Sequence, residues 1–73
     1  MKFMEYTVIL ERGERNWSAY VPDLPGCVAA GGTRAETERL IGGAIVLHIE
    51  ALREDGEPIP KAVTEAVRLA VPA

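Results

Sequence analysis

The sequence predicts an α+β domain with the element order β-β-β-α-β, one sheet crossed by one long helix. Three observations carry this. Short apolar–polar alternations flank a proline-rich corner, Tyr20-Val21-Pro22-Asp23-Leu24-Pro25-Gly26-Cys27. A capping box at Thr33-Arg34-Ala35-Glu36 opens a helical pattern that runs to Asp55-Gly56. A last period-2 run, ending at Pro72, has the alternation of a strand.

The first strand is expected over Phe3 to Arg12. Met4, Tyr6, Val8 and Leu10 form one face, and Phe3, Glu5, Thr7, Ile9 and Glu11 form the other. Gly13-Glu14-Arg15-Asn16 is a polar connection with the composition of a hairpin loop. The second strand, Trp17 to Val21, sets Trp17, Ala19 and Val21 on one side. The corner follows, because Pro22 and Pro25 lack the N–H that a ladder needs and have fixed φ. Asp23 adds a local acceptor and Gly26 can adopt positive φ, so the chain should reverse there into a third strand, Cys27 to Gly31.

The helix is expected from Arg34 to about Glu54. Leu40, Ala44, Leu47 and Ala51 share one face, and Ile41, Ile45, His48 and Leu52 form an adjoining stripe. Ile49 and Val46 widen the apolar arc beyond the ~100° that covers one sheet. Ile45, Val46 and Ile49 are therefore candidates for self-association or partner binding, with Trp17 as a possible aromatic anchor set against the commoner core role. Gly42-Gly43 costs the helix roughly 1 kcal/mol per glycine against alanine, which close approach of another backbone would offset. Glu57-Pro58-Ile59-Pro60 reads as an extended linker, and Ala66 to Val71 as the last strand. If that strand lies parallel to the first and beside it, the crossover can take the usual right hand.

Composition narrows the function. A chain of 73 residues is one domain, covering 1–73, and buries only about 60% of its unfolded surface. One cysteine allows no internal disulfide, so association with another chain is the expected remedy for marginal stability. A homo-oligomer, most simply a dimer, is expected through the helix, with pairing of free sheet edges as the competing route. No apolar run reaches the ~18 residues of a membrane span, and Glu5 interrupts any leader, so a cytoplasmic location is the default. Eight basic and eleven acidic residues, a formal net charge of −3, argue against non-specific nucleic-acid binding.

No residue set announces a reaction or a cofactor. His48 is the only histidine and sits within the apolar arc, where a packing role is the simpler reading. Cys27 has no candidate base beside it and reads as a small buried hydrophobe. Asp23 and Glu11 share no geometry for a metal, and Gly31-Gly32 lacks the lysine and spacing of a phosphate loop.

Trp17 to Cys27, Gly32-Thr33 with Glu36, and Gly56-Glu57-Pro58-Ile59-Pro60 together resemble the HicB antitoxin family, over Tyr6 to Val71. The resemblance implies a partial ribonuclease H-like fold, with a mixed four-stranded sheet in the order 3-2-1-4. It also implies a partner, a small basic mRNA-cleaving toxin of HicA type with a double-stranded-RNA-binding-domain fold and a catalytic histidine. Members often add a C-terminal helix-turn-helix or ribbon-helix-helix; with none before Ala73, direct DNA binding by this chain alone is not expected. The likeness to ribonuclease H raises a nuclease reading, but Thr7 and Ile9 occupy the first strand where an acid is wanted, and Ala66 to Val71 holds none. A non-enzymatic antitoxin module is thus the leading expectation. The alternative is an oligomeric regulatory or scaffold domain of the same fold with a different partner.

Overall fold

A computed structural model describes residues 3–73. Its elements are β1 (Ile9–Arg12), β2 (Trp17–Tyr20), β3 (Val28–Gly31) and α1 (Arg34–Glu54). The strands form one antiparallel sheet in the order β1-β2-β3, and α1 lies across it.

The corner forms as the prolines require. The Val21 N–H donates to the Cys27 carbonyl at 3.2 Å, closing the base of the loop. Inside it, the Leu24 N–H bonds Val21 and the Cys27 N–H bonds Leu24, each at 3.0 Å. Gly26 takes φ of 85°, the conformation for which glycine is suited. This path turns Leu24 inward, where it is fully buried. The core is built on that side of the sheet, from Ala19, Val21, Leu24, Cys27 and Ile41, with Tyr6, Val8, Leu10, Ala29, Ala44 and Ile45 packed around it. The expected faces hold at Tyr6, Val8, Leu10, Ala19 and Val21, whereas Met4 is about half exposed and Trp17 is half-buried outside the core.

Both helix ends follow local chemistry. Thr33 is the N-cap, and its hydroxyl accepts from the Glu36 N–H at 3.1 Å. The Glu36 carboxylate reaches back one residue beyond the cap, to the Gly32 N–H at 2.9 Å. At the other end the Gly56 N–H bonds Arg53 and the Glu57 N–H bonds Leu52, with Gly56 at φ of 67°. This pair of bonds is a Schellman stop.

Three expectations need correction. First, β1 begins at Ile9 rather than Phe3. Its partner β2 pairs only Trp17 to Tyr20 with Ile9 to Arg12, and the chain turns away at Val21, leaving residues 3–8 without ladder partners. Second, residues 66–71 form no strand, so the observed sheet has three strands and not four. Alternation supplies a face but no partner, and these side chains stand exposed. Third, α1 is rotated about its axis relative to the expected inner stripe. Thr37 and Ile41 are buried, whereas Leu40, Leu47 and Ala51 are exposed.

Candidate functional site

The rotation of α1 decides which apolar surface is left over. Thr37 faces the sheet because its hydroxyl can donate to the Thr33 carbonyl at 2.8 Å, so a polar side chain is buried without an unmet bond. Ile41 follows one turn later, with Ala44 and Ile45 at the core margin. The stripe beside it, Leu40, Gly43 and Leu47 with Val46, then looks past the edge of the sheet.

With Val28 and Ala29 of β3 these residues line an open apolar groove of about 720 Å3, with Arg39 at its margin. Val28 is 64% exposed, Leu40 39%, Val46 55% and Leu47 68%. Contiguous apolar surface of this kind marks an interaction site more often than an unadorned monomer surface. The glycine pair fits this view. A Cβ placed on Gly42 or on Gly43 meets nothing within 4 Å, so close packing on the chain's own sheet does not explain either residue. Gly43 lies in the groove wall and leaves the helix backbone accessible there.

The sequence candidates separate on this map. Val46 lies in the groove, while Ile45 packs on the core and Ile49 is half-buried. Trp17 is half-buried on β2, opposite Gly31 and Arg12, and borders a small polar cleft of about 130 Å3 at the β1–β2 turn. The structure thus brings Val46 together with Leu40, Gly43 and Leu47, and places Trp17 elsewhere. The spacing of Leu40 and Leu47 gives them a shared apolar face without saying whether that face meets the sheet. The signal that decides it is Thr37, whose back-bond to Thr33 turns the neighbouring stripe inward.

A second arrangement lies at the corner. Asp23 accepts from the Val63 N–H at 3.0 Å, the Thr64 N–H at 2.9 Å and the Thr64 hydroxyl at 2.7 Å. The Thr64 hydroxyl, then its N–H, hold the Asp23 carboxyl below its ordinary range. Alongside, Tyr6 donates to the Pro60 carbonyl and Thr7 to the Thr64 carbonyl, each at 2.6 Å. Burial, and then the charge of Asp23, push the Tyr6 phenol up. The three side chains tether residues 60–64 to the sheet. Sequence reasoning assigned Asp23 to its own turn; a partner about forty residues away leaves no local signature.

Cys27 is buried, and burial pushes its thiol up, away from the thiolate a nucleophile needs. His48 is half-buried on α1 and Glu11 is exposed on β1. Among the described residues, no helix is long and apolar enough to cross a membrane.

Comparison with known proteins gives this surface a context. The family described as HicB_like antitoxin of bacterial toxin-antitoxin system matches residues 6–71. An uncharacterised protein of the rep–hol intergenic region of Haemophilus phage HP1 is 40% identical over 58 residues, 80% of this chain and 44% of its own length. Antitoxin HicB 2 of Photorhabdus laumondii is 33% identical over 64 residues, 88% of this chain and 46% of its own length. The chain therefore spans less than half of each of these two relatives. A chain of the solved HicA3 and HicB3 toxin-antitoxin complex superposes with a TM-score of 0.70 at 32% identity, covering 82% of this chain and 70% of that one. A match over residues 6–71, nearly the whole sequence, places this chain in the HicB-like antitoxin family.

Proposed function

We propose that the chain is the toxin-binding module of a toxin–antitoxin pair, and that it works by masking a small mRNA-cleaving toxin of HicA type. The observation that carries the reading is the 32% identity and shared fold with a chain of the HicA3–HicB3 complex. The role needs shape and not chemistry. A rigid capped helix and a three-stranded sheet present a fixed surface, and occupying the toxin's active site is enough to stop it.

The groove between β3 and α1 is the docking surface we assign to the toxin. Its wall combines the exposed side chains Val28, Leu40, Val46 and Leu47 with the bare backbone at Gly43. Such an arrangement lets a partner's side chains bury apolar area against a helix approached more closely than any larger residue permits. The net charge of −3 favours encounter with a basic partner. Val46 keeps the partner-binding role expected of it, joined by Leu40 and Leu47; Ile45, Ile49 and Trp17 fall outside this surface.

Under this reading the chain has no catalytic activity, needs no cofactor and acts where its toxin is made, in the cytoplasm. The test is co-expression. Cells carrying the toxin alone should arrest, and cells carrying toxin with this chain should grow and yield a co-purifying complex. Arrest in both, with this chain folded and abundant, excludes the function.

A further inference from the structure

We infer that the toxin enters the β3–α1 groove as an extended strand, which pairs with the outer edge of β3 and turns alternate apolar side chains against α1. This rests on the toxin reading above and adds the form of the contact. Val28, Ala29 and Ala30 line the groove in succession. Successive side chains of a strand point to opposite faces, and these do: Ala29 packs on the core while Val28 stands 64% exposed. Three neighbours bordering one groove therefore do so along the backbone edge they share.

Among the described residues, that edge has no strand beside it. β3 pairs with β2 alone, from Val28 opposite Tyr20 to Gly31 opposite Trp17. In an antiparallel ladder, alternate residues direct both N–H and C=O to the same side, so half of β3 directs its groups away from β2. The helix overhangs on this same side, where Leu40, Val46 and Leu47 are exposed past the last strand.

One extended segment answers both features. Its backbone would continue the ladder about 4.8 Å from β3, the mode of recognition by strand addition. Its alternate side chains would meet α1. Leu40 and Leu47 lie seven residues apart, about 10 Å along the helix, and strand residues i, i+2 and i+4 span about 13 Å. Three alternating apolar residues therefore cover the stripe, the middle one over Gly43, where a Cβ would meet nothing within 4 Å. A helix laid in the groove would cover the same apolar area but leave the edge groups of β3 dry and unbonded, which is costly. Arg39, exposed at the groove margin, sets the charge of the segment: a carboxylate beside the apolar run complements it.

The experiment is residue-by-residue amide exchange and isotope-filtered NMR on the full chain, alone and saturated with a HicA-type toxin inactivated at its histidine. Alone, alternate amides of Val28–Gly31 should exchange fast; in the complex they should slow by about 100-fold or more. The complex should also show backbone-to-backbone contacts between β3 and a toxin strand, and Arg39→Glu should weaken binding about tenfold. Binding without those contacts, or unweakened by Arg39→Glu, overturns the strand contact and leaves masking standing. Slow exchange of every β3 amide in the chain alone gives the edge to a second copy or to the chain's own tail, and overturns it too. No binding by the folded chain removes the toxin reading and this contact with it.

Discussion

Asp23 and Thr64, 41 positions apart, are joined by two hydrogen bonds: the carboxylate accepts the Thr64 hydroxyl at 2.7 Å and the Thr64 N–H at 2.9 Å. A residue that begins as a turn former thus becomes the anchor of the segment after the helix. Loss of this anchor should loosen Val63 and Thr64, still tethered nearby by Tyr6 and Thr7, while leaving α1 intact.

The anchor has a predictable pH dependence. The carboxyl of Asp23 is held below its ordinary value, so its contribution is present above the unfolded-state pKa near ~4 and is lost as pH falls through the lower folded value. Amide exchange at Val63 and Thr64 should therefore be slow at neutral pH and lose its extra protection in acid. Asp23→Asn should weaken that protection already at pH 7. Equal protection of both amides in wild type and variant at pH 7 would show that the carboxylate does not hold the segment.

Thr33→Ala should destabilise the domain by about 1 kcal/mol, through loss of the hydroxyl that accepts from Glu36. For a domain of this size that is a fall in Tm of roughly 4–8 °C. Thr33→Ser should retain most of the stability, because serine supplies the same acceptor. An unchanged melting curve for alanine would mean that the cap is not limiting.

Gly31→Ala should be worse than its size suggests. A Cβ there would lie 2.7 Å from Thr37 Oγ1 and 2.8 Å from Glu36 Oε1. Glu36 is exposed and can yield, but Thr37 is buried and bonded to Thr33, so β3 and the helix start must separate. A loss of about 1–3 kcal/mol is expected from denaturant unfolding. Gly32→Ala, where the nearest atom is 4.0 Å away, is the matched control.

Purified protein should hydrolyse neither RNA nor RNA–DNA hybrids with Mg2+ or Mn2+. Two-metal chemistry needs converging carboxylates, and both Asp23 oxygens are taken by Val63 and Thr64 donors while Glu11 is exposed on β1. Cleavage lost in Asp23→Asn or Glu11→Gln would contradict this.

Features set by neighbours in sequence were legible: the proline corner, the capping box, the Asp55-Gly56 stop and the inner faces of β1 and β2. Each depends on φ restriction, a cap or period-2 burial within a few residues. The features that failed depend on a distant partner in one case and on a single local side-chain bond in the other. Whether Ala66 to Val71 is a strand depends on an edge to pair with, and alternation cannot report one. The burial of Ile41 rather than Leu40 turned on the single back-bond of Thr37, which a count of apolar positions does not weigh. A Cβ on Gly42 or Gly43 meets nothing within 4 Å, so the chain's own sheet is not the close neighbour that the pair was expected to mark.

The most direct test of the proposed masking is calorimetric titration of the purified chain with a HicA-type toxin, inactivated at its histidine, comparing wild type with Gly43→Arg. Open space around Gly43 lets arginine fold without a clash, so circular dichroism should be unchanged. The account predicts saturable binding by wild type and a loss of affinity on the order of 100-fold or more in Gly43→Arg, as expected when a bulky charge is forced into a desolvated contact. No binding by the folded wild-type chain, or equal binding by the variant, would contradict it.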